Sequence, residues 1–219
     1  FIKKKIINLK KKEIKNLDCI IHCGTISRNY SETSKLNFFD DLFGLYFLYQ
    51  QIDKNTKFIF LSSIDIYKKK IKTNFKKFKT LSEQYLINLS KIKKFNLVII
   101  RPSTFFSKEY PKKNIAIYKI KNSIKKNKNF YLTKGAPKLN VIDIKKLYEL
   151  INKQLNQKKY KQKIYNLLSK RSYNYETVFK HFKKQNKSKS KLFYVASKKR
   201  KHVKLKEQNI ILKDTLDSF

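Results

Sequence analysis

The stretch Lys57-Phe-Ile-Phe-Leu-Ser-Ser63 predicts a strand at 57–61, with a continuous apolar run at 58–61 and two serines after it. A short run of this kind between polar flanks is typical of a strand buried on both faces of a sheet. Similar runs occur at 18–23 and 97–100, and segments with apolar residues at helical spacing, 36–51 and 75–92, separate the three. The order strand, helix, strand, helix, strand predicts a parallel sheet with helices on both faces, an α/β fold.

The rest of the chain continues the alternation more weakly. The least structured segment is expected at 183–206, followed by a short amphipathic piece at 210–216. Apolar periodicity predicts helices at 115–126, 144–155 and 175–182, and extended segments at 130–132, 139–142 and 163–168.

The charge of the chain is extreme, with 54 Lys and Arg against 15 Asp and Glu and a formal net charge of +39. Such a chain could bind nucleic acid or an anionic membrane. However, only four of the basic residues are arginine, the residue that nucleic-acid surfaces favour. Enrichment in Ile, Asn, Phe and Tyr with scarce Ala, Gly and Pro favours the drift of an AT-rich genome over an evolved polyanion site. The run Lys198–Lys201 is then a solvated loop.

Glycine is rare, and Gly24, Gly44 and Gly135 stand far apart. The sequence therefore contains neither a dinucleotide-binding G-x-G-x-x-G motif nor a P-loop. It also contains no methionine, so we expect a piece that lacks an N-terminal segment. No apolar run is long enough to span a membrane, and no signal peptide is visible.

Cys19 and Cys23 lie in one predicted strand, about 13 Å apart along it, which is too far for a disulfide. With His22 they do not have the spacing of a zinc site, and no metal is expected. We expect buried thiols in a reducing, cytoplasmic compartment.

Six short motifs in order give the chain a recognisable pattern. Together they resemble the extended short-chain dehydrogenases, the family of NAD-dependent nucleotide-sugar epimerases and dehydratases, over about residues 16–216. The motifs are Asp18–Gly24, Phe60–Tyr67, Ile100–Phe106, Asn140–Ile144, Ile164–Leu167 with the helix after it, and the closing segment 210–216, with Asn37 in a helix of the right length.

The resemblance implies a catalytic site at the end of the second strand. Ser63 matches the serine that orients the sugar oxygen, and Lys79 matches the lysine that holds the cofactor ribose and lowers the pKa of a catalytic tyrosine. Phe75 occupies the position of that tyrosine, so we expect impaired catalysis. Tyr67 or Tyr85 are the remaining candidates for the missing phenol.

NAD or NADP is the cofactor that the resemblance implies, and a nucleotide sugar is the substrate. Because the glycine-rich turn is absent from this sequence, weak cofactor binding is expected. The implied cofactor-contacting residues are Gly24, Thr25, Ser62, Lys79, Pro102, Ser103 and Thr104, and Arg101 is expected as an inward or sheet-end contact.

The resemblance also implies a division of the chain. Residues 1–107 would form a truncated Rossmann-like NAD(P)-binding portion, and residues 108–219 a small substrate-binding portion, with 139–155 returning to the first. The family often pairs through two long helices, here 36–51 and 75–92, so a homodimer is expected.

Two other functions remain open from the sequence. The fold could be retained as a non-enzymatic scaffold or binding subunit, which would stay folded but bind no cofactor. A polyanion-binding protein, with RNA as its ligand, would use the +39 surface, although no sequence-specific nucleic-acid partner and no membrane partner are expected.

Overall fold

A computed structural model of the chain describes residue 13 and residues 17–23, 35–67, 73–107, 116–136, 138–157, 162–195 and 209–212. For residues 35–41 and 209–212 the description is of the backbone alone. The strands are β1 (Cys19–His22), β2 (Lys57–Leu61), β3 (Asn96–Pro102), β4 (Thr104–Phe106), β5 (Phe130–Thr133), β6 (Val141–Asp143), β7 (Lys163–Ser169), β8 (Leu192–Val195) and β9 (Asn209–Leu212). The helices are α1 (Lys35–Gln50), α2 (Asn74–Lys93), α3 (Ala116–Lys125), α4 (Ile144–Asn156) and α5 (Tyr175–Gln185), with a 3-10 turn at Ile64–Tyr67.

The main sheet has five strands in the order β1-β2-β3-β7-β9. The pairings β1 with β2 and β2 with β3 are parallel and in regular register, for example Ile59 opposite Val98. Successive residues of a strand point to opposite faces, and every residue of Phe58–Leu61 and Leu97–Ile100 is buried. Both faces of these strands are therefore covered, and the predicted α/β fold with a parallel, Rossmann-like sheet is confirmed.

The chain divides into two compact units by its contacts. The first contains the described residues up to Pro102 together with Leu147–Asn166, and the second contains Ser103–Lys146 with the described part of Leu167–Lys204. The assignment of 1–107 to cofactor binding and of 108–219 to substrate binding concerns function and stays a prediction.

The core of the first unit lies between one face of the sheet and helices α1 and α2. Phe58 and Phe60 of β2 and Leu97 and Ile99 of β3, at alternate positions, point to this face. The helices contribute Leu45, Leu48 and Tyr49 from α1 and Phe78, Leu86 and Leu89 from α2. Lys57 at the start of β2 ties α4 to this unit, because its Nζ donates to the carbonyl of Leu155, 2.5 Å away, and to that of Gln157, 2.9 Å away.

The second unit has its own core, built around α3 and α5. Two short parallel sheets accompany it, β4 with β6 and β5 with β8. Buried apolar residues from these helices and strands form the cluster, among them Phe106, Ile117, Ile120, Val141, Phe179 and Phe182.

The C-terminal part differs from expectation in one place. Residues 183–206 were expected to be the least structured, yet Leu192–Val195 forms strand β8 and pairs with β5 in parallel register. The partner strand lies about 60 residues earlier, so no local pattern in 183–206 reveals the pairing. The closing segment predicted at 210–216 contains strand β9 at its beginning.

The two cysteines are free, as expected. Burial of both thiols was wrong, because Cys19 is only half-buried and Cys23 is exposed. Strand β1 is at the end of the strand order and pairs only with β2 within the described sheet, so its end is less covered than those of β2 and β3.

Candidate functional site

The ammonium group of Lys79 lies at the carboxyl end of β2, in a shell of aromatic rings. Lys79 is 3% exposed on the inner face of α2, and its Nζ donates a hydrogen bond to the carbonyl of Leu61. The same Nζ lies 4.7 Å from the ring centroid of Phe60, 5.9 Å from that of Phe75 and 6.0 Å from that of Phe78. Buried lysines are rare unless they are paired, so this placement requires specific local contacts.

Phe75 lies one helical turn before Lys79 and is half-buried. The spacing predicted that Phe75, Lys79 and Glu83 share a face of one helix, and Lys79 and Glu83 are both buried on α2. A phenyl ring has no ionisable proton, so Phe75 supplies an apolar wall beside Lys79 and no acid or base.

The two serines at the end of β2 have different environments. Ser62 is buried, its backbone N–H donates to the carbonyl of Ile100 at 2.7 Å, and its hydroxyl has no hydrogen-bond partner among the described residues. Ser63 is half-buried, and its Oγ accepts from the backbone N–H of Asp65 at 3.1 Å. Ser63 therefore caps the 3-10 turn, and its own O–H proton is still available for donation.

His22, at the end of β1, is buried against the same rings. Its imidazole stacks on Phe60 with centroids 5.5 Å apart and planes 8° apart. Neither ring nitrogen has a hydrogen-bond partner among the described residues. Burial, and to a smaller extent the nearby charge of Lys79, lowers the pKa of His22 from 6.5 to about 3.

A buried ion pair anchors the helix that carries Lys79. Arg101 of β3 donates from Nε to both carboxylate oxygens of Glu83 at 3.1 Å, and from Nη2 to Oε2 at 2.5 Å. The other guanidinium nitrogen, Nη1, donates to the hydroxyl of Tyr67 at 2.5 Å, and that hydroxyl donates to Oδ1 of Asn166 at 3.1 Å. Arg101 was expected as an inward or sheet-end contact, and it is buried with its guanidinium bound inside the unit.

The sequence did not reveal this network as a whole. Glu83 followed from the spacing after Lys79, but the link from Tyr67 to Asn166 joins residues 99 positions apart. Of the two candidates for the missing phenol, Tyr67 is held by Arg101 and Asn166, and Tyr85 accepts a hydrogen bond from Gln50 of α1.

The remaining expected cofactor residues fall into three groups. Pro102 ends β3 in the first unit and is buried. In the second unit, the N–H of buried Ser103 donates to the carbonyl of Leu167 at 3.0 Å, and that of Thr104 to the carbonyl of Asn140 at 3.3 Å. Gly24 and Thr25 lie outside the described residues.

The described part of the chain lacks the features of a metal site and of a membrane span. It contains no group of three His, Cys, Asp or Glu side chains arranged to hold a metal ion. Within the same residues, no helix combines the length and the hydropathy that crossing a bilayer requires.

Comparison with known proteins gives a clear result for the fold. No protein-family model and no curated protein sequence matches the chain. Among solved structures, UDP-glucose 4-epimerase of Thermotoga maritima, solved with UDP-glucose, matches with a TM-score of 0.76 at 13% identity, over 93% of this chain and 74% of that protein.

Two further epimerase structures are similar to a comparable degree. UDP-N-acetylglucosamine 4-epimerase of Methanobrevibacter ruminantium, in complex with UDP-N-acetylmuramic acid, has a TM-score of 0.75 at 17% identity, over 97% of this chain and 73% of that one. UDP-glucuronic acid 4-epimerase of Bacillus cereus, in complex with NAD, has a TM-score of 0.74 at 14% identity, over 98% and 71%. The resemblance found in the six motifs is confirmed for the fold: this chain has the Rossmann-type fold of the NAD-dependent nucleotide-sugar epimerases.

Proposed function

We propose that this chain is a nucleotide-sugar epimerase- or dehydratase-type protein that has lost the proton-transfer step of that chemistry. The observation that carries the proposal is Lys79, buried at the end of β2 with its Nζ 5.9 Å from the ring of Phe75. A lysine at this distance would lower the pKa of a phenol, but the ring that it faces has no hydroxyl.

The cofactor that suits this site is NAD or NADP, and the residues fit its nicotinamide end. The buried hydroxyl of Ser62 has no partner among the described residues, which leaves it free to bind a ligand group. We propose that Ser62 and Lys79 contact the nicotinamide ribose and that Pro102, in the same unit, lines the nicotinamide. The contacts of Ser103 and Thr104 that the resemblance implies stay predictions. The fit covers this end only, because the 219 residues contain no glycine-rich turn for the pyrophosphate.

The chemistry divides between the bound group and the chain. When bound, the nicotinamide supplies a hydride acceptor and donor at the sugar carbon. Ser63 donates its O–H to the sugar oxygen, since the bond that its Oγ accepts from the N–H of Asp65 does not use this proton. Phe75 and Phe60 exclude water around Lys79, and Phe75, at the position of the catalytic base, cannot accept the hydroxyl proton. The expected substrate is a nucleotide sugar, since the neighbouring structures hold UDP-sugars.

Restoring the phenol tests the proposal without requiring cofactor. In Phe75→Tyr the new hydroxyl lies beside Lys79, so its pKa is expected below the usual value of about 10 for tyrosine. Tyrosinate absorbance near 295 nm and NMR of 13Cζ-labelled tyrosine measure the ionisation of the introduced phenol by difference from the unmodified chain.

The matched control removes the charge and keeps the phenol. In Phe75→Tyr/Lys79→Met the pKa of the new phenol is expected to return to or above its usual value. If the new phenol had the same pKa in the two variants, the role of Lys79 would be contradicted. Micromolar binding of NAD(H) and turnover of a UDP- or dTDP-sugar by the unmodified chain would overturn the proposed loss of proton transfer.

A further inference from the structure

The sheet formed by β5 and β8 carries an exposed pair of stacked aromatic rings. Tyr131 and Phe193 are opposite each other in the parallel register. Their ring centroids are 5.5 Å apart with planes 22° apart. Tyr131 is 64% exposed and Phe193 41%, so this apolar surface is open. Single exposed apolar side chains are normal, whereas adjacent ones form a contiguous apolar patch of the kind found at interaction sites.

Two lysine-rich connections run into this sheet from the same end. One joins α3 to β5 and the other joins α5 to β8, and the strands are parallel, so both connections precede the aromatic pair. We call these connections the lysine loops. The exposed lysines of the first loop are Lys126 and Lys128, with Lys125 directly before them at the end of α3, and those of the second are Lys187, Lys189 and Lys191.

Hydrogen bonds fix the two lysine loops to each other. Oδ1 of Asn127 accepts from the backbone N–H of Lys189 at 3.0 Å and from the hydroxyl of Ser188 at 2.9 Å. Oδ1 of Asn129 accepts from the N–H of Lys191 at 3.0 Å. The lysines are therefore carried on an ordered backbone and not on two independent segments.

The segments that carry the aromatic pair contain basic side chains and no acidic ones. No Asp or Glu occurs in residues 116–136 and 177–195. These ranges contain α3, most of α5, both lysine loops and both strands. Glu176, just outside this range, is engaged by the hydroxyl of Tyr194 at 2.6 Å and by Lys180 at 2.8 Å. Lysines concentrated in two paired segments without acidic residues raise the local positive potential.

We propose that this face of the second unit binds single-stranded nucleic acid without sequence preference. Bases stack on Tyr131 and Phe193, and the lysine loops neutralise the phosphates beside them, which is the combination used by sequence-tolerant single-strand binders. The inference goes beyond the proposed nucleotide-sugar chemistry and does not depend on it. It also agrees with the expected absence of a sequence-specific partner, since stacking reads no base edges and arginine is absent from both loops.

The aromatic pair is tested by the affinity for a fluorescein-labelled 12-nucleotide oligouridylate, measured by anisotropy with the full chain. Tyr131→Ala/Phe193→Ala is expected to weaken binding at least about fivefold, the lower end of what one base–aromatic stack contributes. Tyr148→Ala removes another exposed tyrosine, 65% exposed, from α4 and is expected to leave the affinity unchanged.

The lysine loops are tested by the salt dependence of the same binding. Replacing Lys125, Lys126 and Lys128 with Gln is expected to reduce the slope of log K against log salt by about 2, since each neutralised phosphate of a single strand contributes about 0.7. A matched triple variant replaces the exposed Lys54, Lys77 and Lys91 with Gln and is expected to keep the slope.

A direct readout of stacking is available because the chain has no tryptophan. Tyr131→Trp introduces a single indole emitter, and its fluorescence is expected to be quenched when unlabelled oligouridylate binds. Tyr148→Trp is the control emitter and is expected to keep its intensity.

Three results would overturn the proposal. The first is oligouridylate binding that does not change in Tyr131→Ala/Phe193→Ala. The second is an equal decrease of the slope of log K against log salt in the two triple lysine variants. That result would mean that the lysine loops contribute no more to oligouridylate binding than other lysines of the chain. The third is binding to phosphatidylserine vesicles that depends on the aromatic pair, with no binding of oligouridylate.

Discussion

The imidazole of His22 shows how one buried side chain couples stability to pH. The pKa of His22 is about 3 in the folded chain, against an ordinary value of 6.5. Between these two values the unfolded chain binds a proton at this residue and the folded chain does not. The free energy of unfolding therefore decreases as the pH falls through this range, by about 2 kcal/mol from pH 7 to pH 5.

His22→Phe keeps an aromatic ring on Phe60 but cannot be protonated. When the pH falls from 7 to 5, the variant should lose less unfolding free energy than the unmodified chain. Urea denaturation should show that this difference in loss is about 2 kcal/mol. At pH 7 and pH 8 the difference between the two proteins should be the same. A difference that stays constant down to pH 5 would exclude His22 as the source of the pH dependence.

Arg101 and Glu83 illustrate a different property of a buried residue, its dependence on a partner. Both side chains are almost fully buried, with exposed fractions of 6% and 4%. Glu83→Leu leaves the guanidinium without its carboxylate and is expected to reduce the unfolding free energy by about 3–5 kcal/mol. Glu83→Leu/Arg101→Leu removes both charges and is expected to be the more stable of the two variants.

A surface ion pair provides the control for this comparison. Lys180 and Glu176 pair at 2.8 Å on α5 with side chains 74% and 43% exposed, and Lys180→Ala is expected to leave the urea midpoint unchanged. If Glu83→Leu/Arg101→Leu were less stable than Glu83→Leu, the unpaired charge of Arg101 would not be the main cause of the lost unfolding free energy.

At the scale of one residue, the sequence predicted what depends on spacing along one helix. Phe75, Lys79 and Glu83 follow from four-residue intervals, and the structure buries the last two. The ring shell around Lys79 and the link from Tyr67 to Asn166 join separate elements, so no local pattern contains them. The catalytic and cofactor roles of Ser63, Lys79 and Phe75 stay predictions.

Helix α2, which carries Lys79 and Glu83, begins with a side-chain cap. Oγ1 of Thr73 accepts from the backbone N–H of Lys76 at 3.2 Å. Thr73→Ala removes this acceptor and is expected to reduce the unfolding free energy by about 1 kcal/mol, as measured by urea denaturation. Thr73→Ser keeps the acceptor, and a loss as large as that of Thr73→Ala would show that the methyl group matters more than the cap.

The boundaries of the elements agree with the sequence where apolar periodicity is strong. Strand β2 was predicted at its observed bounds, and α1 and α2 were predicted to within one residue at each end. Strand β8 was missed, because three of its four side chains are exposed and its partner β5 is remote in sequence. A strand without a buried face does not require alternating apolar and polar residues, so its sequence gives little sign of it.

The whole molecule exposes apolar residues on the outer side of α1 and α2. Phe43 and Tyr46 of α1 are 64% and 54% exposed, and Leu81 of α2 is 46% exposed. Tyr46 contacts Tyr85 with ring centroids 5.6 Å apart, and Leu81 lies one turn before Tyr85, so the three residues face the same side. The homodimer that the family resemblance implies stays a prediction, and a second copy of the chain would cover this surface.

Sedimentation equilibrium tests the homodimer. Phe43→Lys/Leu81→Lys places two charges in the proposed interface and is expected to shift the mass from dimer to monomer. Tyr148→Lys, at another exposed position on α4, is expected to keep the dimer. A monomeric unmodified chain at tens of micromolar would contradict the proposed interface.

Strand β1 has a consequence for solubility. It pairs on one side only within the described sheet and exposes Ile21 to 41%, and a strand edge of this kind can template pairing between chains. The net charge of +39 opposes such contacts by repulsion, and salt screens this repulsion. Rising ionic strength is therefore expected to weaken the binding of a polyanion and, at the same time, to favour association of the chains through their backbones.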